Sequence, residues 1–581
     1  MSSKGHYAGV PSSKDDSGLT PVASPVEPFQ IDDEEEGEFT NDGGSSAGAG
    51  LPSPPQWTKG TVQAPQYRDV WFAVAFVVQA LAVFGAAVGL GAAGLSAVQD
   101  GGGGLQRRLE PYLGDRGRVL ESFDDDAAQF ASLYDDDNTN VSPSASETAS
   151  EGVPSEAFLP LVILASLASG PALTIVALGY MSRNAAGLIE ASLYLSIGLN
   201  AFAFLVALVT GLLPSAIIHA IFAVILVLYA KSVWHRIPYA AANLRSAITA
   251  VRSNMGVALV AFGAVPATMV WFAVWTFAFI GVMSTDFMRE QIDEEDASVG
   301  GNDQGEISAL GGFVIFMFLL SFYWTNQVIN GVVRTTIAGV IGTWWFSPLE
   351  ASSFCSSAVR DSLSRSTTYS FGSICFGSLI VAIIQVMRNS LERARNDRNG
   401  GMLRCIAHCL LVWIERLAEY FNKWAFIYVG LYGYSYVEAG KNVMTLFKER
   451  GWTAIISDNL VNRMLALVSF AIGLISAFVC VLVGFIAEGK GGWLGFAALL
   501  GFFMGLFLSL IMMGVLSSSV DAIIVCYAEA PAEFRENHPE LHAEMEGTWS
   551  AAWPDATLTP VAVAVPLGGG LTGSDQKRSL D

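Results

Sequence analysis

The stretch FYWTNQVINGVVRTTIAGVIGTWWF, residues 322–346, reads as a membrane helix with polar residues down its middle. Tyr323, Trp324, Asn326, Gln327, Asn330 and Arg334 interrupt apolar sequence that would otherwise sit in lipid. Polar groups at that depth are costly unless they face protein or water, so they mark a candidate functional face. Tyr323, Gln327 and Asn330 follow i, i+4, i+7 spacing and form one stripe. Two readings fit such a stripe: hydrogen bonding between helices, or the lining of a substrate path. The neighbouring aromatic residues are the type that holds a quaternary ammonium ion by cation–π contact.

The rest of the chain supplies the matching context. Of 581 residues, 52% are hydrophobic and only 15% charged, and the mean hydropathy is +0.44. Soluble domains carry about 25% charged residues. Many apolar runs approach the length of about 20 residues that spans a bilayer. Alternating strands of about 10 residues, the mark of a membrane barrel, are not seen. The expected fold is therefore all-α: a polytopic membrane bundle of about ten transmembrane helices. The spans are placed at 70–96, 158–180, 185–212, 215–233, 256–283, 311–345, 370–387, within 405–433, 464–486 and 494–517.

The net charge of −21 gathers in a few places. Residues 1–66 read as a disordered acidic tail. Residues 67–518 form the transmembrane domain, with acidic loops at 99–156 and 284–306. Residues 519–581 form a C-terminal tail. An even number of spans puts both ends on one side. Lys231, Arg236, Arg245 and Arg252, then Lys441, Lys448, Arg450 and Arg463, fall on that same side, which the positive-inside rule makes cytosolic. The acidic loops then face outward, and Asn140 opens a glycosylation sequon in the first. The arginines at 388, 393, 395, 398 and 404 conflict with this layout, because they fall between spans seven and eight on the outer side. Residues 441–462 alternate charged and apolar positions. They read as an amphipathic helix lying on the bilayer or packed under the bundle.

Several motifs resolve to packing. Gly89, Gly91 and Gly94 fit GxGxxG, but inside a membrane span rather than after a strand. Gly85/Gly89 and Gly501/Gly505 share the small-xxx-small spacing of close helix contacts. Cys405, His408 and Cys409 lack a second ligand pair for zinc. No motif of metal, cofactor or covalent chemistry stands in a plausible context, so no enzyme activity, cofactor or nucleic-acid partner is expected. No cysteine lies in the acidic loops, which excludes a disulfide framework there. Glu190 sits inside the third span, where it either reaches the interface or serves as a cation-pairing or proton-titrating carboxylate. Trp271 and Trp275 share a face of the fifth span, either as part of an interfacial belt or as part of an ammonium cage.

A set of stretches, in order and spacing, resembles the choline transporter-like family, which includes the fungal Pns1-type proteins. They are Tyr67-Arg68-Asp69-Val70, Arg236-Ile237-Pro238, the run from Tyr323 to Phe346, Ser370 to Arg388 and Leu431 to Gly451. Asp521, Cys526-Tyr527-Ala528-Glu529-Ala530-Pro531 and His538-Pro539-Glu540-Leu541 complete the set. The resemblance implies ten spans, cytosolic ends, and movement of choline or ethanolamine-like cations across the plasma membrane or an organelle membrane. The residues themselves suggest Trp271, Trp275, Tyr323 and Trp324 as an aromatic cage, with Asn326 or Gln327 on the substrate hydroxyl. Asn330 continues the stripe, and Glu190 is the candidate coupling carboxylate. Transport is expected to be passive or proton-coupled. The alternative is a membrane scaffold or trafficking adaptor whose tails are the working parts.

Overall fold

The computed structural model describes residues 60–100, 156–285, 309–354, 356–395, 402–449, 460–487 and 491–553. The tail before Gly60, most of both acidic loops with the sequon at Asn140, and the last 28 positions lie outside the described residues. Fourteen α-helices make up most of what is described: α1 Val70–Asp100, α2 Phe158–Val209, α3 Leu213–Val233, α4 Ile237–Ser253, α5 Gly256–Met283, α6 Ala309–Phe346 and α7 Ser357–Thr367. They continue as α8 Phe371–Arg395, α9 Met402–Tyr432, α10 Tyr436–Glu449, α11 Leu460–Ile486, α12 Gly492–Glu529, α13 Pro531–Asn537 and α14 Pro539–Ala552.

Eight of these helices are long and apolar enough to cross a bilayer. Two differences from the ten expected spans have physical causes. Expected spans two and three are one helix, α2, broken where Asn184 leaves helical geometry (φ −124°, ψ 32°). The eighth expected span corresponds to α9, which carries Glu415, Arg416, Glu419 and Lys423 and so fails any test of hydropathy alone. The expected loop at 231–252 is also different. It is a short 3₁₀ turn followed by α4, whose Ile237, Ala241, Leu244, Ile248 and Val251 are buried. Pro238 in its first turn costs no helix hydrogen bond, so α4 starts cleanly after the turn.

The helix ends gather on two faces. On one, a strap of residues 60–69 runs along the ends of α8, α9 and α12. Gln63 N–H donates to Tyr432 O (2.8 Å) and Arg68 N–H to Tyr369 O (3.1 Å). Asp69, in the left-handed region at φ 51°, accepts from Ser373 Oγ (2.6 Å) and Tyr436 N–H (3.1 Å). Gly433 (φ +79°) turns the chain from α9 into α10. The buried face of α10, Ala439, Val443, Leu446 and Phe447, packs under the bundle. C-terminal helices α13 and α14 cap the same face. Trp345 donates to Ala530 O (3.0 Å) and stacks on Phe534 at 4.0 Å, and His538 bonds Trp344 O (3.0 Å). Burial pushes the His538 imidazole below its ordinary value, against the pull of that bond to Trp344.

Small residues set the closest approaches. A Cβ at Gly501 would stand 2.7 Å from Cys480 Sγ, and Gly505 faces Ser476 across the same α11–α12 seam. Ser169, Ser476, Ser469 and Ser509 hydrogen-bond across α2, α11 and α12 (2.5 and 3.2 Å). The pair Gly501/Gly505 therefore packs as its spacing indicates. Gly85 and Gly89 do not, since a Cβ at either would meet nothing within 4 Å. The contact falls instead at Gly91, against Phe277 of α5, and at Gly281 against Leu90. The register of α1 on α5 turns the earlier pair outward.

Between α6 and α9, a Cβ at Gly430 would lie 2.5 Å from Thr335 O and 2.9 Å from Ala338 Cβ. Gly430→Val is expected to cost about 3 kcal/mol by overpacking. Thermal unfolding in detergent should show a clearly lowered midpoint, whereas Gly85→Val should leave it unchanged.

Candidate functional site: a polar seam between α6, α8, α9 and α12

The stripe on α6 finds partners on α8. Gln327 Nε2 donates to Gln385 Oε1 (3.2 Å), and Asn389 Nδ2 donates to the Tyr323 hydroxyl (2.6 Å). Gln385 and Asn389 are one turn apart on α8, as Tyr323 and Gln327 are on α6, so the two stripes match in register. Between them on α8, Arg388 pairs with Glu415 of α9 (3.1 Å). Glu415 is only 6% exposed.

Further along the seam, Asn330 and Arg334 are exposed. Both lie within about two turns of the midpoint of α6. An arginine at that depth does not face hydrocarbon without a large cost. Its exposure makes this face of α6 a candidate for contact with water rather than lipid. Glu419 and Tyr420 of α9 are exposed too.

Lys423 Nζ lies 2.7 Å from Asp521 Oδ1, with both side chains mostly buried. The same ammonium sits over the Trp424 ring at 4.7 Å. Tyr420 lies against Trp424, ring centroids 6.1 Å apart. Beside the pair is a cavity of about 50 Å³, lined by Tyr239, Asn243, Lys423, Trp424, Asp521 and Trp553 among others. The ion pair thus forms part of the wall of this cavity, with Tyr239 and Asn243 of α4 and Trp553 after α14.

The expected cage residues do not surround one space. Trp275 of α5 donates to Phe318 O (2.9 Å) and packs with Phe279 and Phe322. Trp324 is 5% exposed, donates to Cys375 O of α8 (2.9 Å) and meets Phe76 edge-on. Trp275 of α5 meets α6 at Phe322, whereas Trp324 leaves α6 on another side, because Phe322 and Trp324 are about 200° apart on a helix. The half-buried Trp271 has an indole N–H with no hydrogen-bond partner among the described residues. Asn326 bonds back to Phe322 O of its own helix (2.8 Å). Glu190 is half-buried on α2, six residues past the break at Asn184, on none of the four seam helices.

Tyr323, Gln327 and Asn330 are therefore the expected residues that the seam brings together. Sequence reasoning missed Gln385, Arg388, Asn389, Glu415, Tyr420, Lys423 and Asp521. A signal was present in α9, where charges at 415, 416, 419 and 423 repeat at helical spacing inside a segment that must pass the bundle. Among the described residues, no cluster of three or more metal-ligating side chains occurs.

Comparison with known proteins agrees with this architecture. The chain is 33% identical over 371 residues to Protein PNS1 of Mycosarcoma maydis, covering 61% of this chain and 67% of that protein. It is 31% identical to Protein PNS1 of Gibberella zeae, covering 53% of this chain and 58% of that one. It is also 27% identical to a CTL-like protein of Dictyostelium discoideum, covering 63% and 62%. The matches thus span about two thirds or less of these curated relatives. The profile of a family described as "Plasma-membrane choline transporter" matches residues 217–532, which include α4 to α12 and the whole polar seam. This chain belongs to the choline transporter-like family, a family of membrane transporters rather than of enzymes.

Proposed function

We propose that the protein carries choline or a closely related small organic cation such as ethanolamine, with the seam between α6, α8, α9 and α12 as its path. The observation that carries this reading is the exposure of Asn330 and Arg334 near the middle of an apolar helix, together with the largely buried Lys423–Asp521 pair between α9 and α12. A quaternary nitrogen offers no hydrogen-bond donor, so its site must supply ring faces and a carboxylate. Tyr420, Trp424 and Asp521 bring these together where α9 meets α12. Tyr323, Gln327 and Asn330 supply hydroxyl and amide groups for the polar end of the substrate. Lys423 occupies the carboxylate in the resting pair, and an arriving cation competes for it.

No coupling ion is required energetically. One positive charge gains about 2.3 kcal/mol per 100 mV, enough for roughly a 50-fold gradient. With the strap face cytosolic, the seam opens outward and an inside-negative potential draws the cation in. On this reading the protein works in the plasma membrane with both ends inside, an organelle membrane being the alternative.

The seam reading is tested on Gln327→Leu, which removes the link to Gln385 but keeps the volume. Uptake of radiolabelled choline is expected to fall about tenfold, for the loss of roughly 1.4 kcal/mol of polar interaction. Thermal stability should change little. Uptake equal to wild type would remove this residue from the path.

A further inference from the structure

Three tyrosines and one carboxylate form a second cluster on the strap face, two turns of α12 beyond Asp521. Glu529 is 4% exposed, and its Oε1 accepts from Tyr428 Oη (3.0 Å). The Tyr428, Tyr432 and Tyr434 rings pack against one another beside it, with centroids 5.0 to 6.2 Å apart. What fills this box is the chain itself. Gly60 N–H donates to Glu529 Oε1 at 2.5 Å, and Thr61 N–H points at the Tyr434 hydroxyl (3.3 Å). The fit requires glycine: a Cβ at position 60 would stand 2.8 Å from the carboxylate oxygen and 2.9 Å from the Tyr432 ring.

We propose that the Tyr428–Tyr432–Tyr434–Glu529 box is a binding site for a small organic ammonium ion, and that the strap around Gly60 is a lid that competes for it. A buried carboxylate inside tyrosine faces is the chemistry that holds an ammonium by charge and cation–π contact. The strap's N–H groups stand in for the cation. The lid is lightly held: residues 61, 62 and 64–67 are exposed, and between the box and the anchor at Arg68 and Asp69 the backbone bond of Gln63 to Tyr432 O is the one tie among the hydrogen bonds described. Segments of this kind open at low free-energy cost. The box follows Lys423–Asp521 on the same two helices, so it forms the release site on the strap face. That placement rests on the carrier reading above.

The test uses the full chain in nanodiscs, with radiolabelled choline as the probe in equilibrium binding. Gly60→Ala unseats the lid without touching the box, and is expected to tighten choline binding about tenfold by removing the closed fraction. Adding Glu529→Gln, or Tyr434→Leu where the buried substitution impairs folding, should abolish that gain. Affinity unchanged in Gly60→Ala, or a gain that survives both second substitutions, overturns the proposal. Wild-type uptake into proteoliposomes is measured in parallel. Uptake without the Gly60→Ala gain overturns the box alone. The gain without uptake overturns the carrier reading alone, because binding needs no translocation.

Discussion

Asp521→Ala is expected to abolish choline uptake and to destabilise the fold by about 3 kcal/mol, because it leaves the largely buried Lys423 ammonium without its partner. The residual exposure of Lys423 keeps the cost at the low end for a broken buried pair. Stability loss alone would not separate a gate from a structural tie. Removing both charges does: Lys423→Met with Asp521→Leu replaces the pair by apolar groups of similar volume. Such replacements are often neutral or stabilising. The double variant should melt near wild type yet transport less than about a tenth as fast, a loss of at least roughly 1.4 kcal/mol in the barrier. Wild-type uptake in this variant would make the pair a structural tie only.

The second large effect is expected at Trp345. Its ring is fully buried, stacks on Phe534 at 4.0 Å and donates to Ala530 O at 3.0 Å. Trp345→Ala should cost about 4 kcal/mol from lost transfer and a cavity. The loss should be local at first. Asn537 bonds the carbonyls of Trp345 and Phe346, and His538 bonds that of Trp344, so α13 and α14 hang on this end of α6. Limited proteolysis should cut the C-terminal cap in the variant while the apolar helices stay protected. A cap equally resistant in both would show that Arg245–Glu544 and the Tyr239–Trp549 contact suffice to hold it.

The helices were legible because lipid demands long apolar runs, and α1, α5, α11 and α12 carry little else. The stripe on α6 was legible for the same reason: three polar residues at 323, 327 and 330 stand out against an apolar background. Its partners were not, because nothing local to Gln385 or Asn389 says which helix they face. Alpha-helical period gives a residue's angle on its own helix but not the neighbour at that angle. Trp275 and Trp324 show the consequence, since both are aromatic and central yet their N–H groups are tied to carbonyls on different helices. Helix α9 was obscured for the opposite reason. Its charges lower its hydropathy, and those same charges, paired at Arg388–Glu415 and Lys423–Asp521, are what builds the seam. Arg388, one of the arginines that conflict with the expected sidedness, pairs with a carboxylate of α9.

The most direct measurement is uptake of radiolabelled choline by proteoliposomes holding the purified wild-type protein, with and without an inside-negative potential. Saturable uptake that unlabelled choline competes, and that the potential increases, is the predicted result. Folded protein giving no uptake of choline or ethanolamine above empty liposomes would contradict the account.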